Sequence, residues 1–424
     1  MSTRTKVWLG LGVVALAGAA VTDRPGFVDG LVPAALAQTE SGEAGEGGEG
    51  GEGGEGGEGG GAPASYALQS TDPNAYAYDA SAQIKGYASM VHAGYAKAAT
   101  DARAMADAIA AFLADPNDAT LAAARYAWLN ARPAYLQTEV FRFYDGPIEE
   151  VEGRINAWPL NEAFIDYVEG DAGAGLVNAA AEPITLEVIL GKDQVTDEAD
   201  VTTGWHAIEF LLWGQDRSAE GPGDRPASDF AAGVGNNDRR RAYLHIVTQQ
   251  LVADLDGLVA AWSPDDGGSY ANGLVAMPQR EALGRILNGV AVLAGFEMMS
   301  ERLAVALDSG DQEDEHSCFS DNTVDDFIYN VRGIRNVWFG DNGQGLEALV
   351  RGQDAALAAN VTDLVNRAEA AIADLDRPFD RVLASEPGSA ARQQAERAVT
   401  ALDALGQGLK QVGTVLGVLV LIPS

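Results

Sequence analysis

The sequence predicts an all-α protein with two helical bundles. From residue 75 onward, apolar residues recur at three- and four-residue intervals in long segments rich in Ala and Leu, with few runs of β-branched residues. The chain has 424 residues, more than one hydrophobic core normally serves, so about two packed units are expected. Three or four long helical segments fall on each side of a Gly- and Pro-rich crossing at 215–237, which is the number that two bundles need.

The N-terminus has the features of a secretory signal. Two basic residues precede an uncharged apolar run at 7–21, and a small-residue cleavage site lies at 35–37. Cleavage there would remove residues 1–37. Earlier cleavage at 17–19, or retention of an uncleaved signal as a membrane anchor, stays open, although the run is shorter than the roughly 20 residues that span a bilayer. We therefore expect an exported protein in the periplasm or cell envelope.

Residues 38–74 are predicted to form a disordered Gly/Glu-rich tether. Gly-Gly-Glu repeats fill most of 41–61, and a segment with little apolar surface and repelling charges cannot form a core.

Charge and cysteine content exclude several classes of protein. The chain has 62 acidic and 28 basic residues, a formal net charge of -34, so it has no basic stripe to neutralise the phosphates of nucleic acid. Anionic membrane surfaces are disfavoured for the same reason, which leaves contact with a membrane only through an uncleaved signal. The single cysteine, Cys318, excludes an internal disulfide.

Prolines and glycines divide residues 75–220, the predicted first bundle, into helical segments. Asp118 is the predicted N-cap of the second helix, which Pro133 should bend or interrupt. The predicted helices are Asp79–Ala114, Ala119–Phe143, Asn161–Val168 and Asp200–Trp213.

Residues 221–424 form the predicted second bundle. The same apolar spacing predicts helices over 238–262, 278–307, 325–335, 346–375 and 390–421.

The candidate functional motif lies on the helix predicted to end at Trp213. In the stretch Gly-Trp-His-Ala-Ile-Glu at 204–209, His206 and Glu209 are three residues apart and share one helix face. Imidazole and carboxylate are both ligands of zinc and iron. The alternative is a hydrogen-bonded core histidine beside a solvated glutamate.

Two further segments combine aromatic and polar residues at high density. One runs over 135–160 and contains Asn-Ala-Trp-Pro-Leu at 156–160, and the other contains Ser-Cys-Phe-Ser-Asp-Asn-Thr at 317–323. With Gly204, His206 and Glu209 as a GxHxxE motif, these segments resemble the imelysin-like family, in particular its branch named iron-regulated protein A. The resemblance runs from about residue 78 to the C-terminus.

The resemblance implies two bundles packed side by side, with the motif facing a cleft at their junction. It also implies an exported envelope protein associated with iron acquisition. Some members are classed as metallopeptidases, but the chain has no HExxH motif, the usual zinc-peptidase signature.

Carboxylates on apolar helices are the candidates for further ligands, since helical bundles build metal centres from inward carboxylates. Glu139 is the first choice for a third ligand, with a salt bridge to Arg142 as the alternative. Glu297 is a similar residue, more consistent with a structural pair with Arg302. His316 and Cys318 are a conceivable soft ligand pair in an acidic loop.

The remaining candidates are expected to line the cleft and bind the cofactor or ligand. For the tryptophans the alternative is core packing, and for Asp321 it is an N-cap of the next helix. The cleft candidates are Arg142, Asn156, Trp158, Trp205, Ser317, Cys318 and Asp321.

The predicted function is binding of iron or an iron-containing ligand as an accessory to iron acquisition. A metal ion, iron or zinc, would be held by His206, Glu209 and Glu139, and an envelope receptor or transporter is a possible partner. Two alternatives stay open: a metallopeptidase with Glu209 as its candidate catalytic residue, and a metal-free protein-interaction module.

Overall fold

The protein is predominantly helical in the part that its computed structural model describes, residues 63–72 and 75–423. In this part the backbone forms isolated bridges at Ala67–Val418 and Val168–Asp171 but no strand. We number the longer α-helices in chain order: α1 Ser81–Ala114, α2 Asp118–Leu136, α3 Gly204–Trp213, α4 Asn237–Ala261, α5 Gln279–Val292, α6 Thr323–Phe339, α7 Leu346–Gln353, α8 Ala355–Ala373 and α9 Ala390–Leu416. The all-α prediction is confirmed.

Shorter elements complete the chain between these helices. Single-turn or two-turn α-helices lie at Glu152–Ile155, Glu162–Ile165, Gly175–Asn178, Leu186–Leu190, Tyr270–Ala276, Val305–Ser309 and Asp380–Leu383. Short 3₁₀ turns lie at Glu139–Phe141, Ala227–Phe230, Gln312–Asp314, Cys318–Ser320 and Asp341–Gly343. A π-helix at Leu293–Ala304 continues α5, so the rod predicted over 278–307 exists but changes its hydrogen-bonding pattern halfway. Such π segments often accompany functional sites.

Helix α2 departs from its prediction at both ends. Asn117, not Asp118, caps it by accepting hydrogen bonds from the backbone N–H groups of the second and third following residues. Pro133 lies inside the helix, as expected, but the α-helix ends at Leu136 instead of continuing to Phe143. The released chain turns into the 3₁₀ segment that carries Glu139.

The rod predicted over 346–375 is divided into α7 and α8. Asp354 stands between them, and its side chain accepts hydrogen bonds from the N–H groups of Ala356 and Leu357. An aspartate that satisfies two free N–H groups starts a new helix at that point.

The helices associate in two groups. In one, α1 packs on α2 and α4, and α3 packs on α2 and α4. In the other, α9 packs on α5, the π-helix and α8. Helix α6 contacts both α2 and α8, so it joins the groups. This is consistent with the predicted pair of bundles. The boundary at residues 220 and 221 stays a prediction, and α4, which follows it in sequence, packs in the group of α1.

Residues 63–72, predicted as the end of the tether, belong to the packed unit. The Tyr66 side chain is 3% exposed and lies against Gly284 of α5. Glu281 of the same helix accepts a hydrogen bond from the Tyr66 backbone N–H at 2.8 Å. These contacts hold the segment on α5. The predicted signal at 1–37 and the tether residues 38–62, 73 and 74 lie outside the described residues. Among the described helices, none combines the length and apolar character needed to cross a membrane.

Candidate functional site: a buried histidine pair

Helix α3 lies at the centre of the fold, and all ten of its residues are buried. It can enter this position because its first residue is Gly204, whose backbone has φ +84°. A Cβ atom there would lie 2.4 Å from the carbonyl oxygen of Ile155. The preceding Thr203 anchors the same junction by donating its hydroxyl to the carbonyl oxygen of Arg154 at 2.9 Å. The motif glycine therefore has a packing role.

The motif histidine and glutamate contact each other directly. His206 Nδ1 lies 2.8 Å from Glu209 Oε2, and the two residues are 1% and 0% exposed. The other oxygen, Glu209 Oε1, accepts hydrogen bonds from the backbone N–H of Ser320 at 2.9 Å and from its hydroxyl at 2.7 Å. Both oxygens of Glu209 are therefore engaged, one by the histidine and one by the turn Cys318–Ser320.

The second ring nitrogen of His206 faces another histidine. His206 Nε2 lies 3.2 Å from His316 Nε2, and the rings meet edge to face. His316 Nδ1 in turn lies 2.8 Å from Asp326 Oδ2 on α6. The result is a buried row in the order carboxyl, imidazole, imidazole, carboxyl. The sequence placed His316 beside Cys318 as a soft ligand pair, whereas the structure pairs it with His206.

Arg132 connects this row to the rest of the interior. It is 0% exposed and donates to Asp326 Oδ2 at 2.6 Å and to Ser317 Oγ at 3.3 Å. Its other terminal nitrogen donates to Asn156 Oδ1. The guanidinium also lies over the ring of Trp205, 5.5 Å from the ring centroid. A buried cation thus neutralises Asp326 and orders the loop of Ser317.

Glu139 pairs with Arg142 at 3.7 Å, as the salt-bridge alternative predicted, but it has closer partners as well. Arg302 donates to both of its oxygens, at 2.9 and 3.1 Å, in a bidentate ion pair. Asn156 and Asn330 each donate an amide N–H to the same carboxylate. Although burial opposes ionisation, Arg302 lowers the pKa of Glu139 to about 2. These contacts favour the salt-bridge alternative over a ligand role, with Arg302 as the main partner of Glu139.

The protonation of the histidine row follows from its contacts and its burial. Burial, and next the neighbouring His316, lower the pKa of His206 well below its usual range. Burial, followed by Arg302 and Arg132, does the same for the pKa of His316. Burial also raises the pKa of Glu209 to about 8. Both imidazoles are therefore neutral at pH 7, and Glu209 is a protonated carboxyl.

One arrangement of protons fits the contacts of this row. Asp326, paired with Arg132, lies 2.8 Å from His316 Nδ1 without hydrogen-bond geometry, and its carboxylate favours a hydrogen on that nitrogen. His316 Nε2 then accepts a hydrogen from His206 Nε2, so His206 Nδ1 accepts the proton of Glu209. These tautomers are assigned from the hydrogen-bond network.

A small cavity lies near the histidine pair. Its volume of about 20 Å³ has room for one water molecule. The ring of Trp158 separates it from the histidines, with its centroid 4.8 Å from that of His206. Arg142 in the wall lies 3.0 Å from Glu152 and 3.6 Å from Glu297. The lining residues are Arg142, Glu152, Gly153, Asn156, Ala157, Trp158, Pro159, Gln194, Glu198, Glu297 and Arg302.

Of the predicted cleft candidates, three line this cavity: Arg142, Asn156 and Trp158. Trp205 does not, because it packs between Trp128 and Tyr135 in the core, as the packing alternative predicted. Ser317 contributes through its hydrogen bond to Asp326. All five of these candidates are buried in the interior, but only three of them line the cavity.

Cys318 and Asp321 have other surroundings. Cys318 is a buried free thiol, and burial raises its pKa well above the usual range. Asp321 does not cap α6, because Asn322 occupies the cap position and no side chain makes the capping hydrogen bond. Asp321 instead lies against Asp216 and Asp380.

Arg132 and Asp326 were missed in the sequence. A signal for Arg132 was present, since a lone arginine lies between Trp128 and Tyr135 on one apolar face of α2. Asp326 gave no such signal, because an aspartate in the first turn of a helix is common on solvated surfaces.

Comparison with known proteins gives the family. The imelysin family profile matches residues 91–409. Iron-regulated protein A of Synechococcus elongatus is 26% identical over 333 residues, which cover 75% of this chain and 82% of that protein. A crystal structure described as an iron-regulated protein A precursor from Parabacteroides distasonis has a TM-score of 0.61 at 19% identity, covering 84% of this chain and 98% of that one. An imelysin-like protein from Psychrobacter arcticum has a TM-score of 0.56 at 16% identity, covering 79% and 95%. This protein therefore belongs to the imelysin family, as the resemblance predicted.

Proposed function

We propose that this protein binds a divalent metal ion, iron in the first instance, at the pair His206 and His316, as an exported accessory of iron acquisition. The relatives support the setting, since one is named iron-regulated protein A and another is described as a precursor of such a protein. The periplasm or cell envelope is the proposed location, in keeping with the signal-like residues 1–37.

The observation that carries the proposal is the distance between the two Nε2 atoms. At 3.2 Å it matches the separation of about 3.3 Å between two imidazole nitrogens on a tetrahedral metal ion. An ion on the line between them would be about 1.6 Å from each, so the rings must turn slightly for both lone pairs to converge on one ion at about 2.0–2.1 Å. Imidazole suits iron and zinc alike, and the iron assignment rests on the relatives.

The carboxyls behind the histidines support the same chemistry. Metal-binding histidines usually donate their other ring N–H to a carboxylate, which orients the ring and strengthens the ligand. Glu209 and Asp326 each lie 2.8 Å from an Nδ1 atom, and the contact of Glu209 also has hydrogen-bond geometry. The geometry therefore favours Glu209 as the partner of a ligand, whereas the sequence predicted it as a ligand itself.

Metal binding would also rearrange protons in the row. A bound ion needs both Nε2 lone pairs, so His206 must keep its hydrogen on Nδ1 and Glu209 must become a carboxylate. One proton leaves the row in this change. Binding should accordingly release about one proton per ion when the pH is below the Glu209 pKa of about 8.

The size of the cavity favours a bare ion over an iron-containing ligand. About 20 Å³ accommodates a water molecule but no organic chelate. Burial disfavours a metallopeptidase, since His206 and His316 are 1% and 2% exposed and Glu209, the candidate base, is 0% exposed and already accepts hydrogen bonds from Ser320.

The test is anaerobic titration of the chelator-treated protein with ferrous iron, with zinc in parallel. We expect one ion per chain, and a loss of affinity of at least a hundredfold in His206→Ala and in His316→Ala. His92→Ala is the matched control, because His92 lies on α1 outside the histidine row, and it should bind like the wild type. Unchanged binding in either site variant, with the fold retained, would overturn the proposal.

A further inference from the structure

A cluster of acidic side chains lies next to the turn Cys318–Ser320. One carboxylate oxygen from each of Asp216, Asp321 and Asp380 lies within 4.8 Å of the other two. Asp216 follows α3, Asp321 follows the turn, and Asp380 begins a short helix near the C-terminal part of the chain. Three distant segments therefore bring acidic groups to one point.

Buried oxygens without donors set this group apart from a solvated acidic patch. Asp380 is 2% exposed, and no donor meets hydrogen-bond geometry at either of its oxygens in the described structure, although the amide of Gln312, which donates to Asp216, lies near it. Glu315 is 0% exposed and lies against Asp380. Its Oε2 atom is also buried without a hydrogen-bond partner. Buried oxygens of this kind are rare in native proteins and call for a proton or an ion.

The surroundings supply no positive charge. In the described chain, no Lys, Arg or His forms a salt bridge with Asp216, Asp321, Asp380 or Glu315. Like charges held this close are unfavourable unless a cation compensates them.

We propose that Asp216, Asp321 and Asp380 form a binding site for a calcium ion, with Glu315 behind Asp380. The donors are all carboxylate oxygens, which select hard cations over zinc or iron. Three carboxylates at one point suit calcium, which takes six to eight oxygen ligands in a flexible geometry, better than magnesium, which binds through one or two carboxylates and keeps several waters. Asp216 and Asp321 are partly exposed, which gives the ion a route from solvent.

This site is distinct from the histidine pair, since the two share no residue. They are nevertheless neighbours along the chain, because Ser320 holds Glu209 and the next residue is Asp321. A calcium ion at Asp321 would fix the end of the turn whose other residues support the motif helix.

The test measures calcium binding to the chelator-treated full chain by calorimetry and by thermal unfolding. We expect one calcium ion per chain and a higher unfolding temperature with calcium. Asp380→Asn and Asp321→Asn should each weaken binding at least tenfold. Asp363→Asn is the matched control, because Asp363 is exposed on α8 and pairs only locally with Arg367.

Two further readouts separate this proposal from its alternatives. Without calcium, Asp380→Asn should be more stable than the wild type, because it removes a repelling charge, so loss of binding cannot be attributed to unfolding. The variant His206→Ala should still bind calcium, which makes failure here distinguishable from failure of the iron site. No calcium binding, tighter binding of magnesium or manganese than of calcium, or unchanged binding in Asp380→Asn would overturn the calcium site.

Discussion

The Nε2 atoms of His206 and His316 lie 3.2 Å apart, although the residues are separated by 110 positions in the chain. One lies on the motif helix and the other precedes the turn Cys318–Ser320. Each ring has its Nδ1 atom against a carboxyl group, so the two Nε2 atoms are the ones left to face each other. This pairing, more than the adjacent motif residues alone, is the basis of the proposed metal site.

Replacing Glu209 distinguishes a supporting carboxylate from a ligand. In Glu209→Gln the amide N–H would donate to His206 Nδ1, which favours the tautomer with its hydrogen on Nε2 and hinders metal binding. We expect ferrous iron affinity to fall about 10- to 100-fold, the usual cost of losing a supporting carboxylate. Calorimetry measures it, with Glu369→Gln, a partly exposed residue paired with Arg335, as control. A complete loss equal to that of His206→Ala would make Glu209 a ligand.

The same carboxyl should make the metal-free protein less stable as pH rises. The Glu209 pKa is raised from about 4.5 to about 8, so the folded state favours the protonated form. The stabilisation is present below pH 4.5 and is lost as pH rises through 8. Over this range the free energy of unfolding of the wild type should fall by a few kcal/mol relative to Glu209→Gln, which cannot ionise. Urea denaturation at several pH values tests this, and a constant difference between the two proteins would contradict it.

Arg132 should contribute far more to stability than an exposed arginine. Arg132→Met leaves Asp326 buried without its cation, which costs about 3–5 kcal/mol for a buried pair. Arg103 pairs with Asp256 at the surface, where Arg103→Met should cost at most about 1 kcal/mol. Chemical denaturation of both variants measures the contrast. Equal costs would mean that the Arg132 network is not needed for the fold.

The motif glycine can be tested against a helical glycine. Gly204→Ala places a Cβ atom 2.4 Å from the Ile155 carbonyl oxygen at a positive φ, and we expect a loss of at least about 2–3 kcal/mol. Gly86 in α1 has nothing within 4 Å of where a Cβ atom would lie, so Gly86→Ala should be neutral or stabilise by about 0.5–1 kcal/mol. Thermal unfolding of the pair checks the opposite signs. A tolerated alanine at 204 would remove the packing explanation for the glycine.

Glu139 provides a direct test of the ligand set. Because Arg302, Asn156 and Asn330 occupy it, Glu139→Gln should lower the free energy of unfolding by about 3–5 kcal/mol. Metal affinity of the folded variant should stay within about twofold of the wild type. A loss of metal affinity near that of His206→Ala would restore Glu139 as a ligand.

The secondary structure was largely predictable because it depends on local pattern. Apolar spacing located α1, the motif helix and α9, and Pro116 and Gly417 mark the ends of two of them. The π-helix was not predictable from the same pattern, since its slightly wider turn barely changes the spacing of apolar residues. The break before α8 depended on a single side chain, Asp354, which also fits a solvated helix surface.

The site was only half predictable. His206 and Glu209 share a helix face whatever the tertiary fold, so their contact follows from spacing. The other contacts in the site involve residues from other elements, such as Asp326 on α6. The role of Glu139 was open in the sequence because a buried carboxylate fits a metal and an arginine equally well, and the position of Arg302 favours the ion pair.

The sequence by itself determined the all-α class, the family and the local pair in the motif helix, since these depend on periodicity and on short fixed spacings. Only the tertiary structure decided that His316 faces His206, that Arg302 occupies Glu139, and that Asp216, Asp321 and Asp380 converge. Those contacts join residues far apart in the chain, and the packing of helices, which no local pattern records, sets their distances and their burial.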